Sequence, residues 1–351
     1  MLPAFRTKRS PLYFALLIAA LLLLPLITSS IGHSSREQAY ATIADEGGPI
    51  GMHVREIFDD PGDTDIVVLG SSLIRYGLNA QMVEQALSIH LGRPARVRVL
   101  ALNWLGVDMN YFLLHDYLQN HHVKLVLWNA PAPGMRAFEP HPEAYRLVQF
   151  GKDQFDGLPL RYRVALYGDM VLGAPREMLS YLRPNLMSRE ELQSDTNLKQ
   201  ATAGRSGYYG APFVSEPADT LPVPGIESTY RESHDGKVRD AGQPFDAYEA
   251  YFARQLFALA QNSQTRVVII HIPIDSESGL SYMPEMGRFQ DLLHYNVPVI
   301  GAASADLFLG MSGMRVKHFY ADQHFNANGR ELFTRAVIPA ILKSYDDRCL
   351  K

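Results

Sequence analysis

One uncharged apolar run and a series of short, punctuated ones divide this chain. The run at 11–31 (PLYFALLIAALLLLPLITSSI) contains no charged residue. About 20 such residues allow a helix to cross a bilayer. Downstream, short aliphatic or β-branched runs recur at 65–69 (DIVVL), 96–102, 124–128, 266–272 and 297–301. Continuous apolar runs of this length, bounded by turn residues, predict strands buried on both faces of a parallel sheet. Between them the apolar spacing turns helical. At 79–91, Met82, Val83, Ala86, Leu87 and Leu91 share a face, with Asn79 as the N-cap. A second helix is predicted at 108–118, capped by Asp108, and another at 287–295. A last one covers 327–344, with Leu332, Phe333, Ala336, Val337, Ala340 and Ile341 on one face and a kink at Pro339. The alternation β-α-β-α-β within 65–128 implies right-handed crossovers. The expected fold is therefore α/β, a three-layer, flavodoxin-like arrangement around a five-stranded parallel sheet, with an N-terminal transmembrane helix.

The strands leave a long gap at about 132–264, more than an ordinary crossover needs. Within this insert, 155–182 reads as helix in two pieces and 201–235 as an irregular loop or lid. The segment 244–260 is helical again, with Tyr248, Tyr251, Phe252, Leu256 and Phe257 on one face. The sheet is incomplete without strands from both sides of the insert. The expected organisation is a cytoplasmic N-terminus at 1–10, an anchor at 11–31, a tether at 32–64 and one domain at 65–351.

Charge sets the topology. Arg6, Lys8 and Arg9 precede the apolar run, and Arg36 is the only Lys or Arg in the 20 residues after Gly32. The positive-inside rule then places the N-terminus in the cytoplasm and the domain outside it. A cleaved signal peptide is the alternative, but its apolar core usually spans about 7–15 residues. An uncleaved anchor is expected. A net charge of −4 excludes a generally cationic nucleic-acid binder. A single cysteine, Cys349, excludes an intrachain disulfide and a Cys-rich zinc site. Mean hydropathy of −0.10 excludes a polytopic membrane protein.

Ligands on open parallel sheets bind at the carboxyl ends of the strands. Those ends carry Gly70-Ser71-Ser72, Asn103-Trp104-Leu105-Gly106, Trp128-Asn129-Ala130-Pro131 and, before the last helix, Tyr320-Ala321-Asp322-Gln323-His324-Phe325-Asn326. A serine attacks a carbonyl at neutral pH only with an adjacent base, here His324, held by an orienting group. The developing oxyanion needs fixed donors, which the Ser72 and Gly106 N–H groups and the Asn129 side chain would supply.

In this order of blocks the chain resembles the SGNH (GDSL-like) hydrolases, over the five strands and the last helix but not the insert. Its Gly-Ser-Ser block is similar to that of membrane-anchored, extracytoplasmic proteins assisting teichoic-acid D-alanylation or alginate O-acetylation. The resemblance implies Ser72 as nucleophile, His324 as base, and Ser72, Gly106 and Asn129 around the oxyanion. Asp322 takes the acid role in an Asp-x-His arrangement, because Ala321 stands where the family usually keeps its acid. It further implies an acyl-ester hydrolase or O-acyltransferase acting on a cell-surface or exported polysaccharide. No cofactor or metal is required. A membrane-bound O-acyltransferase is the implied partner, since an exported domain has no acyl-CoA of its own. Two alternatives stand beside this reading. One is a non-catalytic scaffold of a polymer acylation or export complex, and the other an exported esterase acting on lipids or small esters.

Plainer roles compete at several residues. Ser71 and Ser72 could cap the segment that follows, and Asn326 the last helix. His271 reads as a hydrogen-bonded core histidine, and His121 and His122 lack a third metal ligand. Trp104 and Trp128 fit either core packing or a stacking surface for a sugar ring. Tyr208, Tyr209 and Tyr230 fit either an exposed loop or a glycan platform.

Overall fold

The computed structural model describes residues 10–31, 36–37, 40, 53, 55–60, 62–101, 106–130, 144, 147, 157–182, 245–281, 283, 289, 292–293, 297–321 and 323–347. Within the two long helices at 10–31 and 160–182, side chains are described for 11–23 and 160–173. The expected loop or lid at 201–235, Trp104, and most of the expected helix at 287–295 lie outside these residues, although its residues 289, 292 and 293 are described and helical.

Five parallel strands form the sheet: β1 (Thr64–Gly70), β2 (Val97–Ala101), β3 (Val123–Trp128), β4 (Arg266–His271) and β5 (Val299–Gly301). Their order is β2-β1-β3-β4-β5. This is the doubly wound order in which the direction of winding reverses between β1 and β3, opening a crevice at the carboxyl ends of those two strands. Every residue of β1 is buried, which is why its apolar run is continuous rather than alternating.

The two faces of the sheet make two cores. Val67, Leu69, Val126, Trp128 and Ile269 point into the first, with α4 (Val107–Asn120) and α6 (Ala247–Asn262) packed over them. Ile66, Val68, Leu125, Leu127 and Ile270 point into the second, covered by α3 (Ala80–Leu91) and α9 (Ala327–Asp346), which follows the short helices α7 (Ser304–Leu307) and α8 (Gly313–Lys317). Successive residues alternate between the cores because strand side chains alternate with period two. The three-layer α/β fold expected from the sequence is thus present.

Local capping signals hold at two helices. Asn79 Oδ1 accepts from the Met82 amide at 3.2 Å. Its own amide donates to Thr334 Oγ1 at 2.9 Å, tying α3 to α9. Asn326 caps α9 by accepting from the Asn328 and Gly329 amides. Two expectations need correction. The N-cap of α4 is Gly106, not Asp108. Asp108 is fully buried, with its carboxylate accepting from the Met109 amide at 2.7 Å and the Tyr248 hydroxyl at 3.0 Å. The insert helix α5 (Leu160–Leu182) is one continuous element rather than two.

At the amino-terminal edge of the sheet, Asp65 accepts from Arg93, the Arg96 amide and the Tyr345 hydroxyl. Burial alone would raise its pKa, but these donors hold the carboxyl below the ordinary range. His121 faces the Gly62 and Ile57 carbonyls at 3.0 and 3.1 Å and stacks on Tyr117. That environment is structural.

The segment before β1 contributes to the domain. Tyr40 and Ile57 are fully buried in the first core. The uncharged run lies in helix α1 (Ser10–Ile31), whose described large side chains, from Leu12 to Leu23, are 41–60% exposed. Among the described residues no helix is long and apolar enough to cross a membrane. The described side chains of α1 stop at Leu23, whereas its backbone stays helical to Ile31.

Candidate active site

The site is built from the winding reversal outward. β1 ends at Gly70, and Ser71 then caps the short helix α2 (Ser72–Gly77), its hydroxyl accepting from the Leu73 amide. The two serines therefore have different roles. Ser71 satisfies the helix end, while Ser72, at the first helical position, has its Oγ 2.9 Å from His324 Nε2. These residues are 252 positions apart in sequence, and the distance is within the reach of a nucleophile–base pair. For Ser72 to donate to Nε2, the ring proton must sit on Nδ1, a tautomer inferred from this hydrogen bond.

His324 belongs to a two-stranded hairpin, β6 (Tyr320–Ala321) and β7 (His324–Phe325). Adjacent strand residues point to opposite sides. Phe325 accordingly enters the second core, 2% exposed and against Phe333 and Tyr320, while the half-buried His324 turns to Ser72. Burial of Tyr320 pushes its hydroxyl pKa far above the usual value. It therefore acts as a neutral donor, reaching the Pro273 carbonyl at 3.4 Å. Aromatic packing on one side and the Asn326 cap on the other thus hold His324 in place.

Tyr76 is a site residue that the strand-end reasoning does not reach. Its ring meets the His324 imidazole edge-on, with centroids 5.4 Å apart and planes at 82°. The signal was local: Tyr76 lies four residues after Ser72, one turn further along the same helix face.

The hairpin register bears on the acid. Ala321 pairs directly with His324, and such cross-strand partners have Cβ atoms about 4.5–5.5 Å apart on one face. A carboxylate three residues before the histidine would reach its ring from there, but alanine carries none. Asp322 lies outside the described residues.

Gly106 and Asn129 follow β2 and β3, the strands that flank β1. Asn129 is 2% exposed. Its amide N–H donates to the Leu69 carbonyl at 2.8 Å, and its Nδ2 donates to the Ile270 carbonyl at 3.1 Å. One of the two Nδ2 hydrogens is thereby committed to bridging β3 and β4, leaving the second as the side-chain donor. His271 is also buried at this rim, its Nε2 3.3 Å from Glu277 Oε2. Trp128 is fully buried between Phe257 and Phe289. It is therefore a core residue and not a stacking surface for sugars.

Gly70 lets the end of β1, just before Ser72, approach Asn129 closely. Its φ is +154°, and a Cβ there would lie 2.8 Å from the Asn129 carbonyl oxygen and 3.0 Å from both Asn129 Cβ and Ile74 Cγ2. Backbone atoms cannot yield to such contacts cheaply. Gly70→Ala is expected to displace Ser72 relative to its partners. Displacement of about 1 Å can cost about 10²-fold in rate. Turnover should fall on that scale while circular dichroism still reports a folded sheet; a variant with wild-type turnover would show that the close approach is unimportant.

The arrangement offers a hydroxyl, a base in hydrogen-bond contact with it, and candidate donors from two neighbouring strand ends, as acyl transfer to a serine requires. Neither the protein-family models nor the curated proteins contain a match to this chain.

Proposed function

We propose that this chain is a membrane-anchored, extracytoplasmic serine acyl-ester hydrolase or O-acyltransferase of SGNH type, acting on a cell-surface or exported polysaccharide. The observation that carries the reading is the 2.9 Å contact between Ser72 Oγ and His324 Nε2 at the carboxyl rim of a doubly wound sheet. In the reaction, Ser72 Oγ attacks the acyl carbonyl and its proton passes to His324 Nε2. The Ser72 and Gly106 amides and the Asn129 side chain stabilise the oxyanion. Collapse breaks the ester bond, and His324 returns the proton to the departing alcohol. A sugar hydroxyl or water, deprotonated by His324, then attacks the acyl carbon, and the bond to Ser72 Oγ breaks as His324 returns the proton to that oxygen. Asp322 serves as the group that orients the imidazole. A membrane-bound O-acyltransferase supplies acyl groups from the cytoplasmic side. The uncharged run in α1 and the basic residues before it support the anchor and its orientation.

A second reading has its own observation. Ala321 sits across from His324 where a carboxylate would orient it, which favours a scaffold that keeps the fold without turnover. An alkyl fluorophosphonate separates the two. The full-length protein is expected to gain one covalent adduct, mapped by peptide mass to Ser72, and to hydrolyse a chromogenic acetyl ester. Ser72→Ala should lose both. A folded wild-type protein with neither labelling nor turnover, whose Ser72→Ala variant still supports polymer acetylation in cells, would leave the scaffold.

A further inference from the structure

The insert helix α5 is half claimed by the domain. Leu166 is buried in the first core, and Tyr162 packs on Tyr248 with ring centroids 5.0 Å apart. Its other side carries Leu160, Val164 and Leu172, exposed by 74%, 62% and 80%. At about 100° per residue these three fall within about a 120° arc that excludes Leu166. Tyr167 lies on the same side, and its hydroxyl donates to the Leu22 carbonyl of α1. Helices α1 and α5 pack together, so the exposed leucines and valine of α5 extend the apolar surface of α1.

The chain between α1 and the domain is too short to keep this surface away from a bilayer. Four residues separate Ile31, the end of α1, from Arg36. Arg36 donates to the buried Asp116 carboxylate of α4 at 3.1 and 3.2 Å and also to the Leu147 carbonyl. The fully buried Tyr40 donates to the other Asp116 oxygen at 2.7 Å. At about 3.3–3.6 Å per residue, the step from 31 to 36 spans at most about 18 Å. The α4–α6 layer, which also seats α5, is therefore held at the end of α1 rather than on a free tether. The exposed Arg161 at the start of α5 lies over the Tyr162 ring and donates to its hydroxyl at 2.7 Å, so its charge is held against the domain.

We propose that α5 is a second membrane-contact element whose Leu160–Val164–Leu172 side inserts among the lipids of the outer leaflet beside α1, fixing how the sheet rim faces the membrane. The occupant is bilayer lipid, because α5 packs beside the uncharged helix α1 and exposes apolar side chains of its own next to it. This inference rests on the anchor in the proposed function.

The test uses full-length protein with Cys349→Ser, one copy per lipid nanodisc, carrying an environment-sensitive nitrobenzoxadiazole label on a single introduced cysteine. The positions are Val164→Cys, Leu172→Cys, Leu17→Cys in α1, and Ile89→Cys on α3, where the native side chain is 84% exposed. The expected result is a blue-shifted emission at 164 and 172, quenched several-fold more by acyl-chain-brominated lipid than at 89 and protected from aqueous iodide. If the probe at 17 is quenched by the lipid while those at 164 and 172 respond to iodide like the one at 89, the anchor stands and the α5 proposal is overturned. Probes at 164 and 172 shielded from both quenchers would mean that protein covers the helix, which also overturns it. A probe at 17 untouched by lipid removes the anchor and this inference together, without affecting Ser72 labelling.

Discussion

Replacing His324 with alanine is expected to lower ester turnover by about 10²–10⁴-fold, the usual contribution of a positioned general base. The motive is the 2.9 Å contact of its Nε2 with Ser72 Oγ. Thermal stability should change little, because His324 is half-buried while its neighbour Phe325 supplies the core contacts of the hairpin. Two groups that act as one unit are not additive, so Ser72→Ala combined with His324→Ala should be hardly slower than the worse single variant. A multiplicative loss would mean that the two residues act separately. Asp322→Asn then distinguishes triad from dyad. An orienting carboxylate selects the His324 tautomer and stabilises the imidazolium, so its loss should cost orders of magnitude in kcat. If turnover survives Asp322→Asn but not His324→Ala, the site is a dyad, in keeping with alanine at the paired position 321.

The largest effect on stability is expected at Trp128. It is fully buried at the end of β3 and packs edge-on against Phe257 and Phe289. Trp128→Ala removes a large side chain from a packed core and should cost about 3–5 kcal/mol in denaturant unfolding. Trp128→Phe should cost much less. The indole Nε1 is buried and has no hydrogen-bond partner among the described residues, and an unsatisfied buried N–H already carries a penalty of about 1–3 kcal/mol. Deleting it offsets part of the lost packing. Equal destabilisation by the two substitutions would contradict this account of the indole nitrogen.

The parts of this protein legible in its sequence are those set by near neighbours. The strands show as unbroken apolar runs because both faces of the sheet are covered. The caps at Asn79 and Asn326 are readable because each side chain bonds an amide two or three residues away. Ser72 stands out because the carboxyl ends of parallel strands gather polar residues, and His324 because it lies in a polar block just before the last helix. What remained hidden depends on contacts between distant segments. A hairpin of two-residue strands is too short to show a period, so only the β6–β7 pairing reveals Ala321 opposite His324. The block resemblance points to Ser72 rather than Ser71, but only the turn after Gly70 shows Ser71 capping α2 while Ser72 meets His324. Asp108 looks like a cap until Tyr248, 140 residues later, takes its carboxylate into the core. Arg36 and Tyr40 read as part of a loose tether until Asp116 of α4 accepts from both. At Asp108 and Asp116 burial of a carboxylate demands partners, and which partners are near is decided only when the layers of the fold come together.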